Sequence, residues 1–372
     1  MKPLILVTGG AGFIGSHIVE LLLERGYPVR VFDKLVEQVH AGAGPRFVPK
    51  EAEFVRGDMR DAAALRAALK GVRWVVHDAA EVGVGQSMYE VVRYVDANTG
   101  GTAVLLDLLA NERHTVEKIV VASSMSIYGE GAYRCPEHSE VYPRLRSAEQ
   151  LAARQWELLC PRCQTALAPI PTHEEKPLFP TSIYAISKMD QELMCLAMGA
   201  AYGFAAVALR YFNTYGPRQA LSNPYTGVAA IFSSRLLNRK SPVIFEDGAQ
   251  SRDFIHVTDI ARANLLALES DQANGHAFNI GTGRSIAVGK VAQVLAERLR
   301  LDIVPEIVGQ YRAGDIRHCY GDISKARKLL GFEPRVTFEH GMGQLVEWVA
   351  EQRAVDRVDR ACEELASRRL AR

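Results

Sequence analysis

The chain has 372 residues, 44 basic and 43 acidic side chains, a formal charge of +1 and 48% hydrophobic residues, an ordinary globular composition. That charge balance excludes binding to nucleic acid or an anionic membrane by bulk attraction, and no apolar run approaches the ~20 residues of a bilayer span. Met-Lys-Pro runs directly into Leu4-Ile5-Leu6-Val7-Thr8, which reads as a strand and not a leader, so the expectation is a cytoplasmic protein. Its six cysteines are then expected as thiols or metal ligands.

Apolar runs and helical periods alternate over the first two hundred residues. Strands are predicted at residues 4–8, 29–33, 54–56, 74–77, 118–122, 205–210 and 277–280, with helices at 14–25, 62–69 and 97–110. Fully apolar strands separated by helices predict a Rossmann-type, doubly wound α/β fold whose parallel sheet is covered on both faces. Residues 130–180 break the rhythm with cysteines and prolines and read as an insertion. The expected organisation is a dinucleotide-binding domain (1–217 plus 254–283), a smaller α/β substrate lobe (218–253 plus 284–350), and an exposed helix or frayed tail (351–372).

The run Thr8-Gly9-Gly10-Ala11-Gly12-Phe13-Ile14-Gly15 joins the first strand to the first helix. Glycines there permit a tight turn, approach of backbone to a pyrophosphate, and close helix–strand packing, while the helix start offers free N–H groups to the anion. Asp33 ends the second strand, where a carboxylate accepts both adenosine-ribose hydroxyls and repels a 2′-phosphate. That selects NAD, although Lys34 follows it directly. Asp58 is a candidate for the adenine amino group or, equally, a helix N-cap.

Tyr184 and Lys188 stand four apart, on one helical face. A phenol near pKa 10 is a poor base at neutrality, and a close ammonium, helped by the positive nicotinamide ring, is expected to bring it toward working pH. Ser124 follows the strand at 118–122, where a hydroxyl points into the ligand crevice. His77 and His256 read as structural histidines, and Glu81 borders the crevice without a firm role.

Taken together, these runs resemble the extended short-chain dehydrogenase/reductases of the NAD-dependent epimerase/dehydratase family. The likeness extends from Lys2 to about Ala350 and includes His77-Asp78-Ala79-Ala80, Asn98-Thr99-Gly100-Gly101-Thr102, Arg210 to Arg218, Arg252-Asp253-Phe254 and Asp322 to Arg327. It implies NAD held by Gly9, Gly12, Phe13, Ile14, Gly15, Asp33, Asp58, Met59, Ala79, Ala80, Asn98, Tyr184 and Lys188. It implies catalysis by Tyr184, Lys188 and Ser124, a nucleotide-diphosphate sugar met by Ser124, Ser126, Asn213, Arg252 and Arg317, and a homodimer packed through two helices per subunit, one carrying Tyr184. Dehydratases of the family carry Asp-Glu where this chain has Met125-Ser126, and decarboxylases a Glu at the second position. The 4-epimerases remain. The stretch Gly83 to Ser87, which lacks the lysine of some galactose-type enzymes, with Ser222-Asn223-Pro224-Tyr225, looks closer to dTDP-L-rhamnose 4-epimerases. A UDP-glucose or UDP-glucuronate 4-epimerase, or a nucleotide-sugar reductase or dehydrogenase, is the alternative.

Cys135-Pro-Glu-His138 and Cys160-Pro-Arg-Cys163 form two knuckles that match a zinc ribbon with three sulfurs and one imidazole. The other reading is a loop with reduced thiols.

Overall fold

The computed structural model describes residues 2–352 and 354–371; Met1, Arg353 and Arg372, the latter two within the expected tail, lie outside the described residues. Seven parallel strands make the central sheet: β1 (Leu4–Thr8), β2 (Val29–Asp33), β3 (Glu53–Arg56), β4 (Val72–His77), β5 (Lys118–Ser124), β6 (Ala205–Tyr211) and β7 (Ala277–Ile280). Their spatial order is β3-β2-β1-β4-β5-β6-β7, so the chain reverses its direction of travel between β1 and β4. In such sheets the carboxyl ends of the strands at that reversal part to leave a ligand crevice. Val7 pairs with Val31 and Val120 with Val207, which explains why these strands are apolar throughout: helices cover both faces. Helices Phe13–Glu24 and Val257–Glu269 pack on one face over Ile18, Val19, Ile260 and Leu265. Gly101–Asn111 and Ile183–Tyr202 pack on the other, where Leu105, Leu109 and Cys195 are buried.

A second core lies over the carboxyl ends of the strands, where helices Val228–Leu237, Val288–Arg298 and Phe338–Ala350 bury Phe232, Leu236, Val291, Leu295, Met342 and Leu345. Two elements differ from expectation. The helix predicted at 97–110 begins as a π-helical turn, Val95–Gly100, before becoming α-helical at Gly101–Asn111; such turns gather at functional sites. The segment expected as an exposed helix or frayed tail contains a helix, Val358–Ser367, that is not exposed all round but buries Val358, Ala361 and Leu365. Their spacing of three and four residues is a helical stripe set among Arg and Glu.

Residues 130–180 hold a small antiparallel sheet, with Ala132–Cys135 between Ser139–Val141 and Ala168–Ile170. Tyr133, Cys135, Val141, Leu158, Cys160 and Leu167 form its own small core. Strands of three or four residues are too short to produce a visible alternation in sequence.

Candidate active site

Two cavities of about 360 Å³ each meet at the carboxyl edge of the sheet. Tyr184, Asn213 and Val82 line both, so the phenol stands where they join.

The first cavity is walled by the glycine turn. Gly9 has φ of 71°, and a Cβ there would lie 2.8 Å from the backbone nitrogen of Ala79. Gly15, expected to hold the cofactor, is buried and does not line the cavity: a Cβ there would lie 2.3 Å from the carbonyl oxygen of Gly9, so its absence lets the first helix start against the turn. Gly12, Phe13 and Ile14 face the cavity at that helix start. Asp33 stands at the far wall, its two carboxylate oxygens accepting from the backbone N–H groups of Ala11 (3.1 Å) and Leu35 (2.8 Å). Lys34 lines the same cavity, but its ammonium is engaged by the carboxylates of Glu81 at 2.9 Å and Asp58 at 3.9 Å, which offset the charge it could offer a 2′-phosphate. Asp58 and Met59 close one side and Ala79 and Ala80 another. Asp58 holds Arg60 through two hydrogen bonds, which keep its carboxyl down at about 2. The cap of the following helix is Asp61, which accepts from Ala63 and Ala64. A cradle with these exclusions suits a dinucleotide with an unphosphorylated ribose.

Asn98 is a correction to the sequence reading. It is fully buried behind the cavity wall, accepting from the Glu81 N–H at 2.7 Å and donating to Ser187 at 2.9 Å, so it ties the loop after β4 to the Tyr184 helix instead of facing a ligand. His77 is a satisfied core histidine between Thr8 (2.9 Å) and Thr102 (2.8 Å), and burial holds it down at about 3. His256 caps the helix that follows it, accepting from the Thr258 N–H. Burial works to raise Glu81, yet hydrogen bonds from Lys34 and Arg93 prevail and leave it below the usual range, an occupied ion pair.

Ser182 caps the helix Ile183–Tyr202 through the Ala185 N–H, and the Tyr184 N–H donates to the hydroxyl of Ser87 at 3.0 Å. The phenol is thereby fixed beside the short helix Val84–Ser87. Ser124, at the end of β5, accepts from the Ser126 hydroxyl at 2.9 Å and faces the first cavity, while Ser126 faces the second. Lys188 donates to Gln191 at 2.9 Å. Burial pushes the Lys188 ammonium down and the Asp78 carboxyl up, and their opposite charges act against both shifts.

The chain's own groups do not by themselves supply the expected depression of Tyr184. Burial raises the phenol to about 12, with the Ser124 hydroxyl acting against the rise and the charge of Asp78 adding to it. Helical spacing puts Lys188 and Tyr184 on one face, but the ammonium is engaged by Gln191 and faces Asp78. The chain's own groups therefore leave the phenol protonated.

The second cavity contains Arg252, as expected, but not Arg317. Arg317 is 0% exposed and surrounded by Glu157 (3.0 Å), Glu246 (2.9 Å) and Asp247 (2.6 Å). It is a buried structural cation. The arginine that lines the cavity with Arg252 is Arg312, five residues earlier, whose side chain also reaches Asp315 at 2.7 Å. Its signal in the sequence was the turn Arg312-Ala-Gly-Asp315, where Gly314 has φ of 83°. Val358, Ala361, Cys362 and Leu365 of the terminal helix also line this cavity, which the sequence reading missed. Asp315 is the one carboxylate among the described residues lining it.

The four knuckle residues converge. Donor atoms of Cys135, His138, Cys160 and Cys163 all lie within 4.8 Å of one another.

A seven-stranded Rossmann sheet with a Ser-Tyr-Lys cluster at a dinucleotide cradle defines an enzyme of the extended short-chain dehydrogenase/reductase type. The chain belongs to the NAD dependent epimerase/dehydratase family, whose model matches residues 5–152 and 163–281. The ten residues between the matched segments include Glu157 and Cys160. The chain is 36% identical over 352 residues to a dTDP-L-rhamnose 4-epimerase of Burkholderia thailandensis, covering 94% of this chain and 95% of that one. It superposes on the Thermotoga maritima UDP-glucose 4-epimerase with UDP-glucose with a TM-score of 0.75 and 32% identity, covering 94% of this chain and 99% of that one. The Thermus thermophilus UDP-glucose 4-epimerase in complex with NAD gives a TM-score of 0.74 and 32% identity, with 94% and 100% covered. Among the described residues no helix is long and apolar enough to cross a membrane.

Proposed function

We propose that this protein is an NAD-dependent 4-epimerase of nucleotide-diphosphate sugars, with a dTDP-linked 6-deoxyhexose such as dTDP-L-rhamnose as its substrate. The observation that carries the reaction type is the acid inventory of the second cavity. Dehydration needs a proton donor and a base at the sugar, yet Met125 and Ser126 follow Ser124, and the cavity's one carboxylate, Asp315, is held by Arg312.

When bound, NAD supplies a reversible two-electron acceptor beside the sugar carbon and a positive charge near the phenol. With that charge and the Lys188 ammonium beside it, the phenol would release its own proton to solvent, and Tyr184 as phenolate takes the proton of the sugar 4-hydroxyl and later returns it. Ser124 orients that oxygen, and Lys188 holds the nicotinamide-ribose hydroxyls and contributes positive charge. Arg252 and Arg312 hold the diphosphate, for which guanidinium forks suit paired phosphate oxygens. The 4-keto sugar, tethered at that end, turns within walls formed by Val82, Val84, Met88 and Leu365, which offer no polar group to fix one orientation. The same apolar walls favour a methyl at the sugar's C5 substituent. A carboxylate, as in a uronic acid, would find among the described lining residues no cation beyond the two arginines assigned to the diphosphate. The resemblance to the Burkholderia enzyme supports this substrate and the UDP-glucose 4-epimerases support the reaction type.

A homodimer fits the exposed apolar row on two adjacent helical segments, Val91, Val92 and Val95 on one and Ile186 and Leu193 on the other, with Val92 72% exposed. The cluster of three cysteines and His138 suits a structural zinc ion with no part in the redox step. Incubation with dTDP-L-rhamnose, UDP-glucose and UDP-glucuronate, with product configuration read by NMR, tests the function. Inversion at C4 of the dTDP sugar is expected; dehydrated or only oxidised products would overturn it.

A further inference from the structure

A four-coordinate zinc with sulfur at ~2.3 Å and imidazole nitrogen at ~2.0 Å needs donors separated by about 3.8 Å (sulfur to sulfur) and about 3.6 Å (sulfur to nitrogen). Cys135 Sγ lies 3.5 Å from Cys163 Sγ and 3.5 Å from His138 Nδ1, and Cys160 Sγ lies 3.6 Å from the same nitrogen. The cluster is thus the size of a closed tetrahedral shell. Three soft sulfurs and an imidazole select zinc over magnesium or calcium. Two of the four ligands, Cys135 and Cys160, are also two of the six residues in the insertion's small core, which is too little apolar surface to hold the knuckle unaided.

The knuckle is linked to the strand behind Arg252 by a carboxylate close to its ligands, beside the backbone contacts that Glu130 and Tyr133 make to Arg317 and His318. Glu157, three residues before Cys160, accepts from Arg317 at 3.0 Å and pairs with His318 Nε2 at 3.2 Å. Arg317 leads into the strand His318–Cys319, which pairs in parallel with Ser251–Arg252. The Arg252 guanidinium in turn donates to the carbonyl oxygens of Arg317 (2.9 Å) and Ile316 (2.7 Å). A continuous path therefore runs from the metal ligands through Glu157 to an arginine that lines the second cavity.

We propose that zinc bound by Cys135, His138, Cys160 and Cys163 holds Glu157 on Arg317 and His318, and so seats Arg252 to receive the diphosphate of the substrate. This rests on the assignment of Arg252 to the diphosphate. Glu157 is a positioning residue, since it lies behind Arg252 and does not line the cavity.

The experiment uses the full chain, produced in zinc-supplemented medium. Elemental analysis should give one zinc per chain. Calorimetry with dTDP, and with UDP in parallel, should show affinity weakened about three- to tenfold in Cys160→Ser/Cys163→Ser and in wild type stripped with a chelator. Glu157→Gln should keep its zinc and weaken dTDP to the same extent, with NAD binding unchanged; this variant carries the test if the cysteine variant does not fold. Zinc-free protein, whether its cysteines are free thiols or oxidised, would overturn the metal site. Loss of zinc with dTDP affinity unchanged, or unchanged affinity in Glu157→Gln, would overturn the seating of Arg252. Failure of wild type to bind either nucleotide would refute the diphosphate assignment and this seating with it, while the zinc content stands as a separate result.

Discussion

Arg317 and Arg312 are five residues apart and should respond to mutation in opposite ways. Replacing Arg317 with Met keeps the volume of the stem but removes a fully buried cation from Glu246, Asp247 and Glu157. Breaking one partner of a buried ion pair costs about 3–5 kcal/mol. Here Glu246 keeps Arg146 at 2.8 Å and the other two carboxylates reach solvent, so the low end applies, about 3 kcal/mol. With an unfolding entropy of roughly 2.1 cal/mol/K per residue, a chain of this length loses about 4 °C in Tm. Arg312→Gln removes a partly exposed guanidinium whose ion pair with Asp315 is worth at most about 1 kcal/mol. Its Tm should fall by no more than about 1 °C, while dTDP binding weakens about tenfold or more through loss of a charged hydrogen bond worth about 1.5–3 kcal/mol. Scanning fluorimetry and calorimetry separate the two effects. An Arg317→Met protein with unchanged Tm and tenfold weaker dTDP binding would restore Arg317 to the anion site and refute this assignment.

Tyr184→Phe should lower kcat by about 10²- to 10⁴-fold with NAD retained, since the variant loses only the acid–base group; activity within threefold of wild type would exclude Tyr184 as the base. Ultraviolet difference titration of NAD-free protein against Tyr184→Phe should place the phenol above 10, in line with its rise to about 12, and a value below 9 would show a depressing charge missing from this geometry. His17, His77 and His256 are held neutral by burial at about 4, 3 and 4. The unfolded chain binds these protons near 6.5 and the folded one does not, so stability is lost as pH falls from about 6.5 toward 4, by up to about 1.4 kcal/mol per pH unit for each histidine. A Tm unchanged between pH 7 and 5 would contradict that. Val92→Glu with Leu193→Glu should convert a dimer to a monomer by light scattering, and a wild-type monomer would refute the interface.

The sheet was legible because buried parallel strands must be apolar throughout, as in Ile119-Val120-Val121-Ala122, and the glycine turn because a Cβ at Gly9 or Gly15 would collide with backbone. Ser124 was legible from its place at a strand end and Tyr184 from its spacing to Lys188, while the resemblance to the family brought the two together; the Ser182 cap that fixes the helix was not read. Arg317 was misread because spacing alone does not tell which side of a short strand an arginine takes, and the three carboxylates around it come from distant segments. The protonated state of Tyr184 depends on where Lys188 turns its ammonium, a side-chain choice made by Gln191 and Asp78. Asn98 was misplaced because the π-helical turn Val95–Gly100 rotates it behind the wall while Ala97 faces the cavity. The burial of the terminal helix, not the helix itself, was hidden by its charged residues, although Val358, Ala361 and Leu365 mark one face.

The most direct measurement follows dTDP-L-rhamnose carrying deuterium at C4 through turnover in ordinary water, with NADH absorbance recorded alongside. Reversible transfer at C4 through one bound cofactor should give the C4-inverted sugar with its deuterium retained and no stoichiometric NADH. Loss of the label to solvent, or one NADH released per sugar, would contradict an epimerase working through Tyr184.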